Sequence, residues 1–264
     1  MPRWVADICK VIYMYINTTG LVLRETIYKD SSKILTVLTA SEGKLTVTAR
    51  GALRKNSRMA APTQLLAFSE MTLFQSRDRW TLTEAQSIEL FSGLRSDIEL
   101  LSLGSYFAEL AEAVTDEDSP NPEILSLCLN ALFVAGEEGS NPALVKAAYE
   151  TRLMALSGFA PAVSHCAACG RDDITAPLLD IIGGTVCCGA CSQIPPGRAH
   201  RLSAGALHAI RYIIGCDAKK LFAFTVGSDT QKNLSDVAEA YLLAQLDRRF
   251  RTLDYLKSII GLGK

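Results

Sequence analysis

Between residues 16 and 83 the apolar positions come in short runs separated by turn residues. Residues 21–27 are rich in β-formers, and 34–38 are almost continuously apolar after the turn-forming KDSSK at 29–33. Past a second turn at Ser41, Glu42 and Gly43, Leu45, Val47 and Ala49 alternate with Lys44, Thr46, Thr48 and Arg50. A period of two is that of a strand with one buried face, here with an outward face of threonine and basic side chains. A polar loop follows, RKNSRMAAP at 54–62, and then two further strands at 64–75 and 79–83. Five short strands in so short a stretch predict a small closed barrel of the OB type, with a flat sandwich as the alternative.

The pattern turns helical from about Ser87, which puts the domain boundary near residues 83–87. Asn121-Pro122 and Asn141-Pro142 each offer an N-cap asparagine and a proline at the first helical position, so helices are predicted over 123–136 and 143–157. The first is apolar almost all round (Ile124, Leu125, Leu127, Cys128, Leu129, Leu132, Phe133), the pattern of a helix at the centre of a bundle. The second carries Val145, Tyr149, Leu153 and Leu156 on one stripe and stops at Gly158. Further amphipathic helices are expected over 203–215 and 234–250. The expected fold is α+β: an OB barrel over 14–83, then a helical domain over 84–264 interrupted by an insertion at about 164–195.

That insertion changes the picture most. Five of the eight cysteines fall within residues 164–193, in two Cys-x-x-Cys pairs. The first pair is Cys166 and Cys169. The second is most simply Cys188 and Cys191, with the adjacent Cys187 competing for the third position. Two tight turns that each aim two thiolates at one ion predict a closed four-cysteine zinc site of the ribbon kind, against the alternative of buried free thiols or a disulfide. A site closed by four thiolates has no position for an activated water, so its Zn2+ is structural. None of His165, His200 and His208 precedes a Glu by two residues, as zinc deaminases require. Cys9, Cys128 and Cys216 stand alone in apolar surroundings and are read as small hydrophobes.

A composition of 48% apolar and 21% charged residues over 264 positions is that of a globular protein with a real core. No apolar run reaches the roughly 18 residues of a membrane span, and Asp7 and Lys10 interrupt the only stretch resembling a leader. A cytoplasmic, nucleoid-associated protein is expected, with no membrane partner. The net charge of −1 conceals a segregation: residues 14–80 hold ten Lys or Arg against five Asp or Glu, and residues 81–160 hold three against thirteen. Such asymmetry assigns different partners to different faces, polyanions to the basic one. The densest basic run, Arg50, Arg54, Lys55 and Arg58, begins at a strand end and enters a loop. Arg24, Lys29, Lys33 and Lys44 belong to the same barrel, and on one face the eight would form a track for a phosphate backbone. Aromatic platforms for bases are scarce: Tyr28, Phe74 and Trp80 are candidates, each better suited to a core. Arg248, Arg249 and Arg251 form a second cluster, equally explained by stabilisation of a helix C-terminus.

Taken together, TGLVLRETIYKDSSKILTVLT, LTVTARGALRKNSR, YETRLMALSGFAPAVSHCAACG and GGTVCCGAC resemble the bacterial RecO family of recombination mediators, over a match running from about Met14 to the end. The resemblance implies an OB fold that binds single- and double-stranded DNA, and a helical domain with zinc on Cys166, Cys169, Cys188 and Cys191. It implies DNA contacts centred on Arg50, Arg54, Lys55 and Arg58, annealing of complementary strands, and loading of RecA onto strands coated by the single-stranded-DNA-binding protein. The implied partners are RecR and the acidic C-terminal tail of that binding protein. Residues 1–13 precede the usual family start, and the doubled Cys187-Cys188 leaves the third ligand open. A zinc-containing protein adaptor that does not touch DNA is the alternative. An enzyme, and with it a small-molecule substrate, has the least support, since phosphate-loop, Gly-x-Ser-x-Gly and His-Glu-x-x-His motifs are all absent and an ATPase or hydrolase would need an unusual constellation.

Overall fold

A computed structural model describes residues 13–262, so Cys9 lies outside the described residues. The chain divides into two units, one running to Leu90 and including Thr115–Pro122, the other comprising Phe91–Val114 and everything from Glu123 on.

The first unit is a closed five-stranded barrel of β1 (Tyr13–Tyr28), β2 (Ser32–Thr39), β3 (Lys44–Ala49), β4 (Phe68–Ser76) and β5 (Arg79–Glu89), ordered β1-β2-β3-β5-β4. All neighbours are antiparallel except β3 and β5, which run parallel and close the barrel as an OB fold. β1 is long because it serves two partners, pairing with β4 from Tyr13 to Leu21 and with β2 from Gly20 to Tyr28. A bulge between Val22 and Arg24 turns the strand at the change of partner. Gly20 makes the turn possible, since a Cβ there would lie 2.5 Å from Val37 Cγ1. The inward positions Val22, Leu35, Val37, Val47, Met71 and Leu73 are fully buried and fill the interior with Trp80.

Two strand limits differ from the sequence reading. β4 begins at Phe68, because residues 64–67 form a turn with Leu66 at a φ of 63°. β5 runs six residues past Thr83 to Glu89, so the boundary moves to Leu90. Its second half, Thr83 to Glu89, has no fully buried side chain and therefore carries no apolar alternation to read.

The second unit is built from α1 (Ser92–Arg95), α2 (Ile98–Val114), α3 (Pro122–Ala135), α4 (Pro142–Leu156), α5 (Ala204–Gly215), α6 (Ser228–Leu246) and α7 (Arg251–Leu262). Between α4 and α5 lies a three-stranded sheet of β6 (Leu178–Asp180), β7 (Thr185–Cys187) and β8 (Ala199–Arg201), in the order β7-β6-β8. Asn141 caps α4, its side-chain oxygen accepting from the Leu144 N–H at 3.2 Å. The expected helix over 234–250 is α6, which starts earlier, at Ser228, and stops at Leu246, where Asp247 takes a left-handed conformation before α7 begins at Arg251.

α4, not α3, is the centre of this unit. Phe133 on α3 is 54% exposed, whereas nine residues of α4 are buried, Glu150 among them. The apolar count favoured α3 because it cannot register a polar residue that is buried through pairing. Tyr106 on α2 donates to Glu150 Oε1 at 2.7 Å, and Lys146 Nζ lies 2.7 Å from Glu150 and 2.9 Å from Glu239 on α6. Lys257 on α7 completes the network by pairing with Glu239. Burial pushes the Glu150 carboxyl above its ordinary range, with the Lys146 charge opposing it. Among the described residues no helix is long and apolar enough to cross a membrane.

Candidate metal centre and nucleic-acid interface

The four sulfurs of Cys166, Cys169, Cys188 and Cys191 lie within 4.8 Å of one another. Two backbone turns place them. In the first, the Gly170 N–H donates to the Cys166 carbonyl at 2.8 Å and the Cys166 N–H to that of Arg171 at 2.8 Å. Gly170 closes this turn at a φ of +73°, a left-handed conformation open to glycine and costly for other residues. In the second, the Cys191 N–H donates to the Cys188 carbonyl at 3.0 Å. The turns meet where the Cys188 N–H donates to Cys166 Sγ at 3.2 Å. Cys187, the last residue of β7, is outside the group of four, and burial followed by the neighbouring Cys166 pushes its thiol up.

The donor set fits zinc. A tetrahedral ion with Zn–S bonds of about 2.3 Å holds its sulfurs about 3.8 Å apart, close to the grouping already present. The electrostatics point the same way. The N–H of Cys188, then that of Cys169, hold the Cys166 thiol down at about 6, favouring its thiolate. The Cys169 side chain, followed by burial, pushes Cys191 up to about 11, and burial raises Cys188. Crowded thiols resist becoming four thiolates until a cation removes the repulsion. Zinc held there would cross-link the two turns and do no chemistry of its own.

Helices of the same unit hold this small sheet. Arg211 on α5 donates to the carbonyls of Val163 at 2.7 Å, Ser164 at 2.9 Å and Asp172 at 3.2 Å, all beside the first cysteine turn. Gln245 on α6 donates to the carbonyls of Ile181 and Ile182 at 2.8 and 3.0 Å, and Tyr241 to that of Phe159 at 2.9 Å. Within the sheet, Asp180 binds Arg198 at 2.6 Å. A lone arginine and a lone glutamine carry no motif, so sequence reasoning missed both.

The basic residues of the barrel separate into three groups. Arg50, Arg54, Lys55 and Arg58 are exposed, and none is ion-paired with a described residue. They ride on a loop wound as successive turns, Arg54 N–H to Gly51 C=O at 3.1 Å and Ser57 N–H to Arg54 C=O at 3.0 Å. The loop is tied to the β1–β2 turn by the Leu53 N–H, which donates to the Ser31 carbonyl at 3.0 Å. This tie brings Lys29, exposed in that turn with its ammonium 5.2 Å from the Tyr28 ring centre, to the same end of the barrel. Arg24 is exposed on the outer wall and donates to Thr36 Oγ1 at 3.2 Å.

Lys33 and Lys44 do not join them. Lys33 is only 7% exposed, paired with Glu25 and donating to the Thr63 carbonyl at 3.3 Å. It anchors the loop that displays the other cations instead of facing a ligand. Lys44 starts β3, at the opposite end of that strand from Arg50, and donates to the Thr115 carbonyl. Among the aromatic candidates, Trp80 is in the core, Tyr28 is 42% exposed, and Phe74 packs against the neglected Tyr15 at 4.8 Å. Arg77 and Arg79 on the β4–β5 turn were also passed over, lying outside the dense run.

Comparison with known proteins gives one answer along the chain. Residues 14–91 match the family described as Recombination protein O N terminal, and residues 95–254 the one described as Recombination protein O C terminal. A protein of Acetivibrio thermocellus named DNA repair protein RecO is 30% identical over 245 residues, 93% of this chain and 97% of the relative. One of the same name from Symbiobacterium thermophilum is 30% identical over 250 residues, covering 92% and 97%. A third, from Listeria monocytogenes, is 36% identical over 152 residues, 58% of this chain and 59% of the relative.

Proposed function

Because this chain belongs to the RecO family of DNA repair proteins, we propose that it is a DNA-binding recombination mediator whose barrel holds single- and double-stranded DNA by phosphate contacts. The observation that carries the reading is the set Arg50, Arg54, Lys55 and Arg58, exposed and without an ion-pair partner among the described residues, on a loop fixed to the turn that bears Lys29. Unpaired cations on a pinned loop neutralise phosphates and release counterions without first breaking ion pairs of their own.

On this reading annealing is a physical act. A basic surface that holds two strands screens their repulsion and raises their local concentration, and no bond is made or broken. The protein is then a non-enzymatic loader of RecA onto strands coated by the single-stranded-DNA-binding protein, with RecR and the acidic tail of that protein as partners. Structural zinc on Cys166, Cys169, Cys188 and Cys191 holds the small sheet of the helical unit. Fluorescence anisotropy of labelled single- and double-stranded oligonucleotides, titrated with the full chain across a salt series, tests the proposal. Binding that weakens steeply with salt is expected for both. No binding at low salt by a zinc-loaded sample would discard the DNA reading in favour of a protein adaptor.

A further inference from the structure

The barrel carries a row of residues outside the basic loop. Directly paired residues in a sheet share a face, and the register joins Tyr15 to Phe74, Phe74 to Thr81 and Thr81 to Thr48 across four strands. Their chain neighbours Leu73, Trp80, Leu82 and Val47 are buried in the core, which turns the row itself outward. Tyr15 is 66% exposed, and Phe74 braces it with ring centres 4.8 Å apart and planes inclined at 41°.

Cations lie to one side of this pair. Arg79 lies two residues before Thr81 on the same face, and Arg77 precedes it in the β4–β5 turn. Both are exposed, and neither is ion-paired with a described residue. Asp78 between them is the single carboxylate of that turn. At the far end of the row Arg50 follows Thr48 by two residues. The row from Tyr15 to Thr48 crosses three interstrand spacings, roughly 14 Å, a span of a few nucleotides.

An exposed, braced aromatic ring with unpaired arginines to one side of it has the chemistry of a stacking platform. A duplex keeps the faces of its bases stacked on one another, so only an unpaired base offers a face to such a ring. The geometry points to a base-stacking subsite for single-stranded nucleic acid at Tyr15 and Phe74, with Arg77 and Arg79 holding the adjacent phosphates. The inference rests on the DNA-binding reading above and adds to it an interaction that duplex DNA cannot make.

The test compares the full chain with Tyr15→Ala and Tyr15→Phe on three probes of equal length: an oligothymidylate, an abasic strand and a duplex. Tyr15→Ala is expected to weaken oligothymidylate binding about 5- to 100-fold, the range for one stacked base, and to leave the abasic strand and the duplex unchanged. Tyr15→Phe keeps the ring and binds as the wild type does. Equal loss on the abasic strand, or no loss on oligothymidylate while the wild type binds it, overturns the subsite and leaves this face to a protein contact. Failure of the wild type to bind any probe removes the DNA-binding reading itself. Because Tyr15 is exposed, its truncation is not expected to unfold the barrel, and an unchanged melting curve for Tyr15→Ala verifies this.

Discussion

The barrel and the helical unit handle charge in opposite ways. In the barrel Arg50, Arg54, Lys55 and Arg58 face water without an ionic partner among the described residues, while in the helical unit Lys146, Glu150, Tyr106 and Glu239 are drawn inside and bound to one another. The first arrangement contributes little to stability and leaves charge free for a ligand. The second commits its charges to the fold, and Glu150 still has one oxygen without a hydrogen-bond partner among the described residues. A count of basic and acidic residues does not separate the two cases; whether the charges have partners does. Lys33 shows this within the barrel itself, since it belongs to the basic total yet acts as a buried anchor.

The largest effect expected from breaking this contrast lies at the cysteines, where four sulfurs are gathered within 4.8 Å of one another. If the cluster holds structural zinc as proposed, Cys188→Ser is expected to abolish metal binding and to lower the stability of the helical unit by roughly several kcal/mol, because a structural site contributes its binding energy to folding. Cys187→Ser leaves metal content at the wild-type level. Elemental analysis and thermal unfolding of the two variants decide the matter, and the opposite pattern would reassign the third ligand.

Next in size is the internal network. Lys146→Met leaves Glu150 buried and uncompensated and is expected to cost about 3–5 kcal/mol in urea unfolding, against about 0.5 kcal/mol or less for Lys55→Met on the barrel. Burial alone would lower the Lys146 pKa, but Glu150 and Glu239 outweigh it and hold it above the usual value. The stability that Lys146 lends is therefore complete below about pH 10, the unfolded-state value, and is lost as the pH climbs through its raised folded value. The gap between wild type and Lys146→Met should narrow above about pH 10.

Smaller again is the effect of Arg211, whose guanidinium is spent on carbonyls beside the first cysteine turn. Arg211→Ala touches no ligand, yet it frees that turn and is expected to speed zinc loss to a chelator about 10-fold. Chromophoric chelator kinetics, with helical circular dichroism recorded in parallel, would separate loosened metal from general unfolding. Equal release rates would make Arg211 a packing residue alone.

How far the sequence could be read follows the same division. Period-two alternation in β3 and the Cys-x-x-Cys spacings are local, and they announced the barrel and the cysteine cluster directly. The tail of β5 escaped because polar side chains on both faces erase the alternation. The place of α4 escaped because Glu150 is buried through pairing, which an apolar count reads as exposure. For Lys33 and Lys44 the deciding partners, the Thr63 and Thr115 carbonyls, are distant in the chain. Tyr15 was hidden similarly, since only the register that sets it beside Phe74 shows that its ring is braced and outward.

The central claim is that the unpaired cations of the barrel loop meet phosphates. The measurement that tests it most directly is the salt dependence of single-stranded DNA binding for the wild type and for the triple variant Arg50→Ala, Arg54→Ala, Lys55→Ala. At roughly 0.7 in log–log slope for each phosphate that is no longer neutralised, the variant should bind more weakly and its slope should be shallower by about 2. Parallel lines of equal affinity would contradict the account and move the DNA interface away from this loop.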